Sequence, residues 1–176
     1  TPLPINYLEN KGSAQCKSSI IFAGMRAKGE TIIKAKKSRN HTELLCKYLK
    51  LPIKIKTQRS YDQITINKVK NIKPLNYTIP SDMSSAAFFI VLTALSEKSK
   101  LIIKNVNINP SRIGVITILK RMGVKIIFKN KKIYKGEKIS DIFCKSTKKL
   151  KSVNLPKNFN NSSMIDEFNS LFIIAS

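Results

Sequence analysis

Apolar and polar positions follow the same pattern twice along the chain, in residues 13–55 and again in residues 83–128. Each stretch opens with small polar residues and continues with an apolar helix, predicted at residues 18–25 and 84–95. A strand rich in β-branched residues comes next in both copies. The pattern predicts a repeated unit in which helices and strands alternate, so the predicted fold class is α/β (α+β).

The second half of each copy is repeated as well. A Ser-Arg pair, which contains Arg39 in the first copy and Arg112 in the second, precedes an amphipathic helix. Each copy then ends in an alternating strand, at residues 53–55 and 125–128, and further strand-like segments follow. Both copies therefore predict the order helix, strand, helix, strand, followed by additional strands.

The final residues resemble the beginning of a third copy. Residues 160–163 are predicted to form a loop and a helix start. Asp166 and Glu167 are placed in the first helical turn, where carboxylates suit the positive end of the helix dipole. The apolar residues 168–175 then follow without a capping residue. We therefore expect an internal fragment of a longer repeat protein, truncated at both ends, whose last helix is incomplete.

The chain carries a formal net charge of +23, yet all but five of its 33 basic residues are lysines. Such a charge is typical of nucleic-acid-binding proteins. The lysines, however, are spread along the chain, and the aromatic residues do not alternate with them as a stacking platform requires. We favour a solvated basic surface. The alternative is a basic nucleic-acid-binding repeat protein of related fold, which predicts tight, strongly salt-dependent binding to RNA or DNA.

Cysteine and histidine content limits the possible chemistry. Cys16, Cys46 and Cys144 are odd in number and widely spaced, which favours reduced thiols and a cytoplasmic location over a disulfide framework. His41 is the single histidine and is assigned to local packing, so we expect no metal site and no cofactor. No apolar run approaches the length of a membrane span, and the first residues lack a signal-peptide pattern, so no membrane partner is expected.

Five short motifs, in order along almost the whole chain, resemble those of the enolpyruvyl transferases that make 5-enolpyruvylshikimate 3-phosphate and are the target of glyphosate. They are SAQ at 13–15, SRNHTE at 38–43, DMSSAAFF at 82–89, NPSRIG at 109–114 and SMIDE at 163–167. The set is similar to that of the bacterial class II, glyphosate-insensitive branch. The sister enzymes that act on UDP-N-acetylglucosamine share the fold but not this set of motifs.

The resemblance implies a fold of two lobes, each built from three βαβαββ-type units, with helix N-termini directed into the cleft between the lobes. Residues 1–79 would belong to the first lobe, which binds shikimate 3-phosphate, and residues 80–176 to the second. Helix N-termini suit the two anionic partners that the resemblance implies, shikimate 3-phosphate and phosphoenolpyruvate. The resemblance also implies a monomer for the longer family enzyme and no specific nucleic-acid partner.

Site residues follow from the same motifs. Those implied for shikimate 3-phosphate are Ser13, Ala14, Gln15 and Arg39, and Gln15 is also implied for phosphoenolpyruvate. An arginine suits a phosphate because its planar guanidinium donates two parallel hydrogen bonds. From the residues alone, Ser13 is better explained as an ordinary helix N-cap and Gln15 as a surface residue, and Arg39 is also explained as an ion-pair partner of Glu43.

Asp166 matches the acidic residue that this family uses to bind shikimate 3-phosphate and to accept a proton. The 5-hydroxyl of that substrate must lose a proton as it attacks phosphoenolpyruvate, and a carboxylate can take it. We assign Asp82 to capping the next helix, Arg112 to tying the repeat turn together and Glu167 to a structural role. Lys17 either adds positive potential to the phosphate site or is solvated.

Several cationic residues of the family's site have no counterpart in this sequence, and most of them bind phosphoenolpyruvate. We therefore expect the chain alone to be catalytically inactive and to bind shikimate 3-phosphate weakly. Three apolar residues of the last helix, Phe168, Leu171 and Phe172, are expected to promote self-association.

Overall fold

Two units make up the chain, for which the computed structural model describes residues 1–157 and 159–176. Unit 1 is Thr1–Tyr77 and unit 2 is Thr78–Ser176. The division falls beside the boundary between residues 79 and 80 that the sequence predicts. The assignment of each unit to one lobe of the family fold stays a prediction.

Unit 1 contains four strands and two helices in the order β-α-β-α-β-β. They are β1 (Asn6–Glu9), α1 (Ala14–Gly24), β2 (Thr31–Lys36), α2 (His41–Tyr48), β3 (Ile53–Thr57) and β4 (Tyr61–Ile66). The strands form one sheet in the order β1-β2-β4-β3, in which β1 is parallel to β2 and the other pairs are antiparallel. This is the βαβαββ unit that the resemblance implies.

Alternation along the strands builds the core of unit 1. Ile33 of β2 lies opposite Ile64 of β4, and both are fully buried. Successive strand residues face opposite sides of a sheet, so the residues next to Ile33 in β2 and next to Ile64 in β4 face away from this core. Ile21 of α1 and Cys46 of α2 pack against the same side. The core therefore holds both helices, and with them their N-terminal ends, in fixed positions on the sheet.

Unit 2 repeats the arrangement of unit 1. Its elements are α3 (Met83–Leu95), β5 (Lys100–Asn107), α4 (Gly114–Arg121), β6 (Lys125–Tyr134), β7 (Glu137–Lys145), two 3₁₀ turns (Asn161–Ser163 and Ile165–Glu167) and α5 (Phe168–Ala175). The sheet order is β5-β7-β6, with antiparallel pairs. Ser81 forms an isolated parallel bridge to Val106 of β5, in the place that β1 takes beside β2. The predicted repeat is therefore confirmed, with the first strand of unit 2 reduced to a single bridge.

Side-chain caps define where the first helix of each unit begins. The Ser13 Oγ accepts a hydrogen bond from the backbone N–H of Cys16 at 3.2 Å, and the Asp82 carboxylate accepts one from that of Ser85 at 2.8 Å. Each cap satisfies one of the N–H groups that a helix start leaves without an intrahelical partner. Because of the Ser13 cap, α1 begins at Ala14, earlier than the predicted start at residue 18.

Helix α3 is apolar on all sides, although only one side is buried. Its buried residues include Ala87, Ile90 and Ala94, which lie in the core of unit 2. Its other side leaves Phe88 and Phe89 more than half exposed, at 55% and 59%. A helix of this composition is usually enclosed on all sides. No helix in residues 1–157 and 159–176 is both long and apolar enough to cross a bilayer.

The predicted first turn of the last helix is wrong. Asp166 and Glu167 lie in a 3₁₀ turn, and α5 begins only at Phe168. Between the two 3₁₀ turns, Met164 has φ −153° and ψ 23°, outside the helical region, and its side chain is 1% exposed in the core of unit 2. The backbone therefore leaves the helical path at Met164, while the side chain of this residue lies in the core.

Candidate functional site

Two helix starts meet around a surface cavity of about 230 Å³ in unit 1. Its lining consists of residues from the first five positions of α1, from the first turn of α2 and from the segment before α2: Ala14, Gln15, Ser18, Arg39, His41 and Thr42. Three of the predicted site residues are thus brought together, since Arg39 lies beside Ala14 and Gln15 although it is distant from them in sequence. His41, which the sequence assigned to local packing, also faces this cavity.

Ser13 lies beside this cavity, at the start of α1. Its hydroxyl oxygen serves as the N-cap described above, which is the alternative that the sequence left open. A hydroxyl that accepts one hydrogen bond still has its own O–H to donate. Capping is therefore compatible with donation to a ligand in the cavity.

The electrostatics of the cavity favour an anion. The first N–H groups of α1 and α2 have no intrahelical acceptor, and each helix has the positive end of its dipole here. Arg39 adds a half-buried guanidinium, and Gln15 adds an exposed amide. Phosphate groups bind at helix N-termini for these reasons. The arrangement can therefore bind a phosphate through backbone N–H groups, one guanidinium and one amide.

Lys17 is neither solvated nor at the phosphate site, the two alternatives that the sequence left open. Its side chain is 1% exposed, and its Nζ lies 2.5 Å from Oε1 of Glu43, whose side chain is 4% exposed. The same Nζ donates a hydrogen bond to the backbone oxygen of Arg39 at 2.9 Å. Glu43 is thus the ion-pair partner of Lys17, and Lys17 reaches the predicted phosphate site only through the backbone of Arg39.

A second polar contact joins the two helices. The hydroxyls of Ser18 and Thr42 lie 2.6 Å apart and share a hydrogen bond. Both residues line the cavity, and sequence reasoning singled out neither. Their contact joins the N-terminal half of α1 to the first turn of α2.

Asp166 belongs to unit 2 and is not part of this cavity. Arg112 connects it to the start of α3. Nη2 of Arg112 donates hydrogen bonds to Oδ1 of Asp82, at 3.0 Å, and to Oγ of Ser84. The same nitrogen lies 3.9 Å from Oδ2 of Asp166. The Asp166 side chain is 51% exposed. Arg112 therefore links the capped start of α3 with the turn that carries Asp166.

Glu167 is buried, at 2% exposure, beside the exposed Asp166. Its Oε1 accepts a hydrogen bond from the Ser84 hydroxyl. Burial raises the pKa of the Glu167 carboxyl, while the bond from Ser84 and the charge of Arg112 act in the opposite direction. Glu167 thus anchors the 3₁₀ turn to α3 by a buried hydrogen bond, which the helix-dipole interpretation did not include.

Helical spacing carries the signal that would have identified both buried charges. Lys17 is followed at i+4 and i+7 by Ile21 and Gly24, and all three are buried on one face of α1. Glu167 is followed by Leu171 and Ile174 at the same intervals, and these are buried too. A charged residue that continues an apolar stripe faces the core, where it requires a polar partner.

Metal ligands do not converge in the described part of the chain. Among residues 1–157 and 159–176, no group of three or more His, Cys, Asp or Glu side chains could hold a metal ion.

The sequence profile of the family described as EPSP synthase (3-phosphoshikimate 1-carboxyvinyltransferase) matches residues 4–173. Among curated relatives, the 3-phosphoshikimate 1-carboxyvinyltransferases of Caldicellulosiruptor saccharolyticus and Hydrogenovibrio crunogenus are 40% and 38% identical over 174 residues. These alignments cover 98% of this chain, but 40% and 39% of the relatives. The chain therefore spans about two fifths of the length of these relatives.

Solved structures give the same result. EPSP synthase from Acinetobacter baumannii is similar with a TM-score of 0.85 and 38% identity, covering 98% of this chain and 38% of that one. The enolpyruvyl transferase NikO from Streptomyces tendae has a TM-score of 0.57 at 14% identity, over 84% of this chain and 36% of that one, which is a similarity of fold alone. The names of these proteins give the nucleic-acid-binding alternative no support.

Proposed function

We propose that this chain, which belongs to the EPSP synthase family, provides part of the site of a transferase that moves the enolpyruvyl group of phosphoenolpyruvate to the 5-hydroxyl of shikimate 3-phosphate. The observation that carries the proposal is the unit 1 cavity, where Ala14, Gln15 and Arg39 lie together at two helix starts. This transfer is a step of the shikimate pathway, which leads through chorismate to the aromatic amino acids.

Shikimate 3-phosphate is proposed to place its phosphate in this cavity. The guanidinium of Arg39 can donate two parallel hydrogen bonds to phosphate oxygens, and the backbone N–H of Ala14 can add another. The hydroxyl of Ser13 remains available as a donor beside them. Gln15 is exposed, and its amide carries two donors, so it can contact shikimate 3-phosphate and phosphoenolpyruvate together.

Asp166 is proposed to take the proton that the reaction releases. The 5-hydroxyl oxygen of shikimate 3-phosphate forms a bond to C2 of phosphoenolpyruvate as its proton passes to a carboxylate, and a general acid gives a proton to C3. The resulting tetrahedral intermediate then returns a proton from C3 to the conjugate base of that acid and expels phosphate, which restores the carbon–carbon double bond. The departing phosphate takes up the proton that the carboxylate held. A carboxylate acts as such a base if it is within hydrogen-bond reach of the hydroxyl. The 51% exposed side chain of Asp166 is accessible to a substrate.

The test is a calorimetric titration of the chain with shikimate 3-phosphate at moderate salt. We expect weak, saturable binding in the wild type. Arg39→Ala should weaken it by roughly 10- to 100-fold, because a hydrogen bond between charged groups contributes about 1.5–3 kcal/mol. Gln15→Ala should weaken it less, since a neutral donor is lost.

Arg59→Ala is the matched control, because Arg59 is an exposed arginine of the same unit that does not line the cavity. It removes the same charge and should leave the affinity nearly unchanged. Equal weakening by Arg39→Ala and Arg59→Ala would mean that the ligand responds only to net charge. That result, or no binding by the wild type, overturns the proposed phosphate site.

A cytoplasmic location is proposed from the state of the cysteines. Cys16, Cys46 and Cys144 are free thiols. Burial raises the pKa of the Cys46 and Cys144 thiols to about 11, so both stay protonated near neutral pH and react slowly in disulfide exchange. Such thiols suit a reducing compartment. Fractionation of cells that express the chain tests the location, and recovery from an oxidising compartment would contradict it.

A further inference from the structure

The ion pair between Lys17 and Glu43 connects the two helices that form the candidate phosphate site. Lys17 lies in the first half of α1, and Glu43 lies in the first turn of α2. Their side chains are 1% and 4% exposed, so neither can touch a ligand in the cavity. Any influence of this pair on a ligand must therefore pass through the residues that it holds.

The contacts of Lys17 show which residues those are. Besides the ion pair, its Nζ donates to the backbone oxygen of Arg39 at 2.9 Å. One ammonium group therefore holds both α2 and the backbone of the residue whose guanidinium lines the cavity. The Ser18–Thr42 hydrogen bond adds a parallel connection on the cavity side. Together these contacts fix the spacing between the first turn of α1 and Arg39.

Stability alone does not account for the pair. Moving two charges into a protein interior costs much of what their attraction returns, and replacing a buried pair by apolar residues of similar size is often neutral or stabilising. Within the described residues, Oε2 of Glu43 is buried and has no hydrogen-bond partner. An imperfectly satisfied pair at this place is better explained by a requirement for geometry, since a charged contact is directional and an apolar contact is not.

We propose that Lys17 and Glu43 are positioning residues for phosphate binding, which hold Arg39 at the distance from the α1 N-terminus that one phosphate group requires. The inference rests on the proposed binding of shikimate 3-phosphate in this cavity. Binding through several fixed donors is sensitive to their relative placement, so a small displacement of Arg39 weakens all the hydrogen bonds from these donors to the phosphate.

A double substitution separates positioning from stability. Lys17→Met combined with Glu43→Leu replaces both charges by apolar side chains of similar length and leaves no buried charge without a partner. We expect its resistance to denaturant to remain close to that of the wild type, and its affinity for shikimate 3-phosphate to fall about tenfold or more. The phosphorus-31 resonance of the bound ligand should also shift, since its donors have moved.

Ile64→Val is the matched control. Ile64 is fully buried in the same core, and the change removes a methylene group without touching the pair. This variant should be slightly less resistant to denaturant and should bind the ligand as the wild type does. If the double variant does not fold, Glu43→Gln takes its place, because an amide keeps the shape and an acceptor oxygen but removes the charge. Its affinity should fall further than that of Ile64→Val.

The outcomes distinguish this inference from the proposed function. If the wild type binds, Arg39→Ala does not, and the double variant, or Glu43→Gln in its place, binds as the wild type does, the positioning role is overturned and the phosphate site stands. If affinity falls only in proportion to resistance to denaturant across all variants, the pair has a structural role and the inference is again overturned. If the wild type does not bind, the proposed function fails, and the inference fails with it.

Discussion

Asp166 and Glu167 are adjacent carboxylates in opposite surroundings. The Asp166 side chain is half exposed and lies 3.9 Å from a guanidinium nitrogen of Arg112, whereas Glu167 is buried and accepts a hydrogen bond from Ser84. A base that takes a proton from a substrate must be accessible, and an anchor must not be. The geometry therefore favours Asp166 for proton transfer and Glu167 for holding the turn in place.

A hybrid enzyme tests the role of Asp166. Replacing the corresponding part of the Acinetobacter baumannii EPSP synthase by this chain is feasible because the two are similar at a TM-score of 0.85. In an active hybrid, Asp166→Asn should lower kcat by roughly 10²- to 10⁴-fold, the usual contribution of a general base. The affinity for shikimate 3-phosphate should change much less, because the amide keeps the shape of the carboxylate.

Glu167→Gln in the same hybrid is the control for Asp166→Asn. It removes a carboxylate from the neighbouring position and keeps an acceptor for the Ser84 hydroxyl. Steady-state kinetics should show a kcat close to that of the unsubstituted hybrid. A loss of kcat that is as large for Glu167→Gln as for Asp166→Asn would contradict the assignment of the proton acceptor.

Burial of Glu167 makes the stability of the chain depend on pH. Its pKa is raised in the folded state, so the unfolded chain releases this proton first as the pH rises. The stabilisation is complete below the ordinary pKa of 4.5 and is lost as the pH rises through the folded pKa. Relative to Glu167→Gln, the wild type should therefore lose stability between about pH 4 and about pH 7.

Urea unfolding of the wild type and the variant at both pH values measures this loss. Glu97→Gln serves as the comparison, since Glu97 is an exposed carboxylate in the same unit. The difference between wild type and Glu97→Gln should change little over the same range. An equal pH dependence for both differences would contradict a raised pKa of the Glu167 carboxyl.

At the scale of elements, local patterns in the sequence predict most of the fold. The segments 31–33 and 101–103, which are rich in β-branched residues, lie in β2 and β5, and the apolar stretch at 84–95 is α3 with one residue added. These predictions succeed because the spacing of apolar residues and the branching of side chains determine the type of an element from residues within that element. The cap at Asp82 was predicted for the same reason, since a capping bond spans only three residues.

Contacts between elements explain what the sequence could not predict. The place of Lys17 depends on Glu43, which belongs to another helix. The 3₁₀ turn that contains Asp166 is connected to α3 by the hydrogen bond between Ser84 and Glu167. In the candidate site, the motifs indicated Gln15 and Arg39. The roles of Ser18 and Thr42 depend on the hydrogen bond between α1 and α2, which the sequence does not show. A tertiary partner decides each of these. Helical spacing indicates that Lys17 faces the core, but it does not identify Glu43 as the partner.

At the scale of the whole molecule, the predicted self-association concerns the exposed apolar side chains of unit 2. The sequence predicted that Leu171 and Phe168 take part, and this prediction is wrong. Leu171 is 9% exposed in the core of unit 2, and Phe168 packs against that core. Phe172 remains exposed at 66%. The larger contribution comes from the uncovered side of α3, with Phe88 at 55% and Leu92 at 62%. We propose that a second copy of the chain covers these residues, because exposed apolar patches promote association.

Sedimentation velocity over a range of concentrations tests this proposal. We expect the wild type to sediment faster as its concentration rises, and the double variant Phe88→Glu with Leu92→Glu to remain monomeric, since charges on this side oppose burial. Ile133→Glu is the matched control, because Ile133 of β6 is 74% exposed but lies away from α3. A monomeric wild type, or equal effects of both changes, would contradict association through α3.

The strand orders of the two sheets leave β3 and β6 at their ends. Both strands are rich in lysine: Lys54 and Lys56 alternate with isoleucines along β3, and β6 has the sequence KIIFKNKKIY. A free strand edge can pair with the edge of another chain and begin a fibre, and lysine side chains along it oppose that pairing by charge repulsion and hydration. Part of the net charge of +23 is therefore placed where it keeps these sheets from growing by addition of further strands.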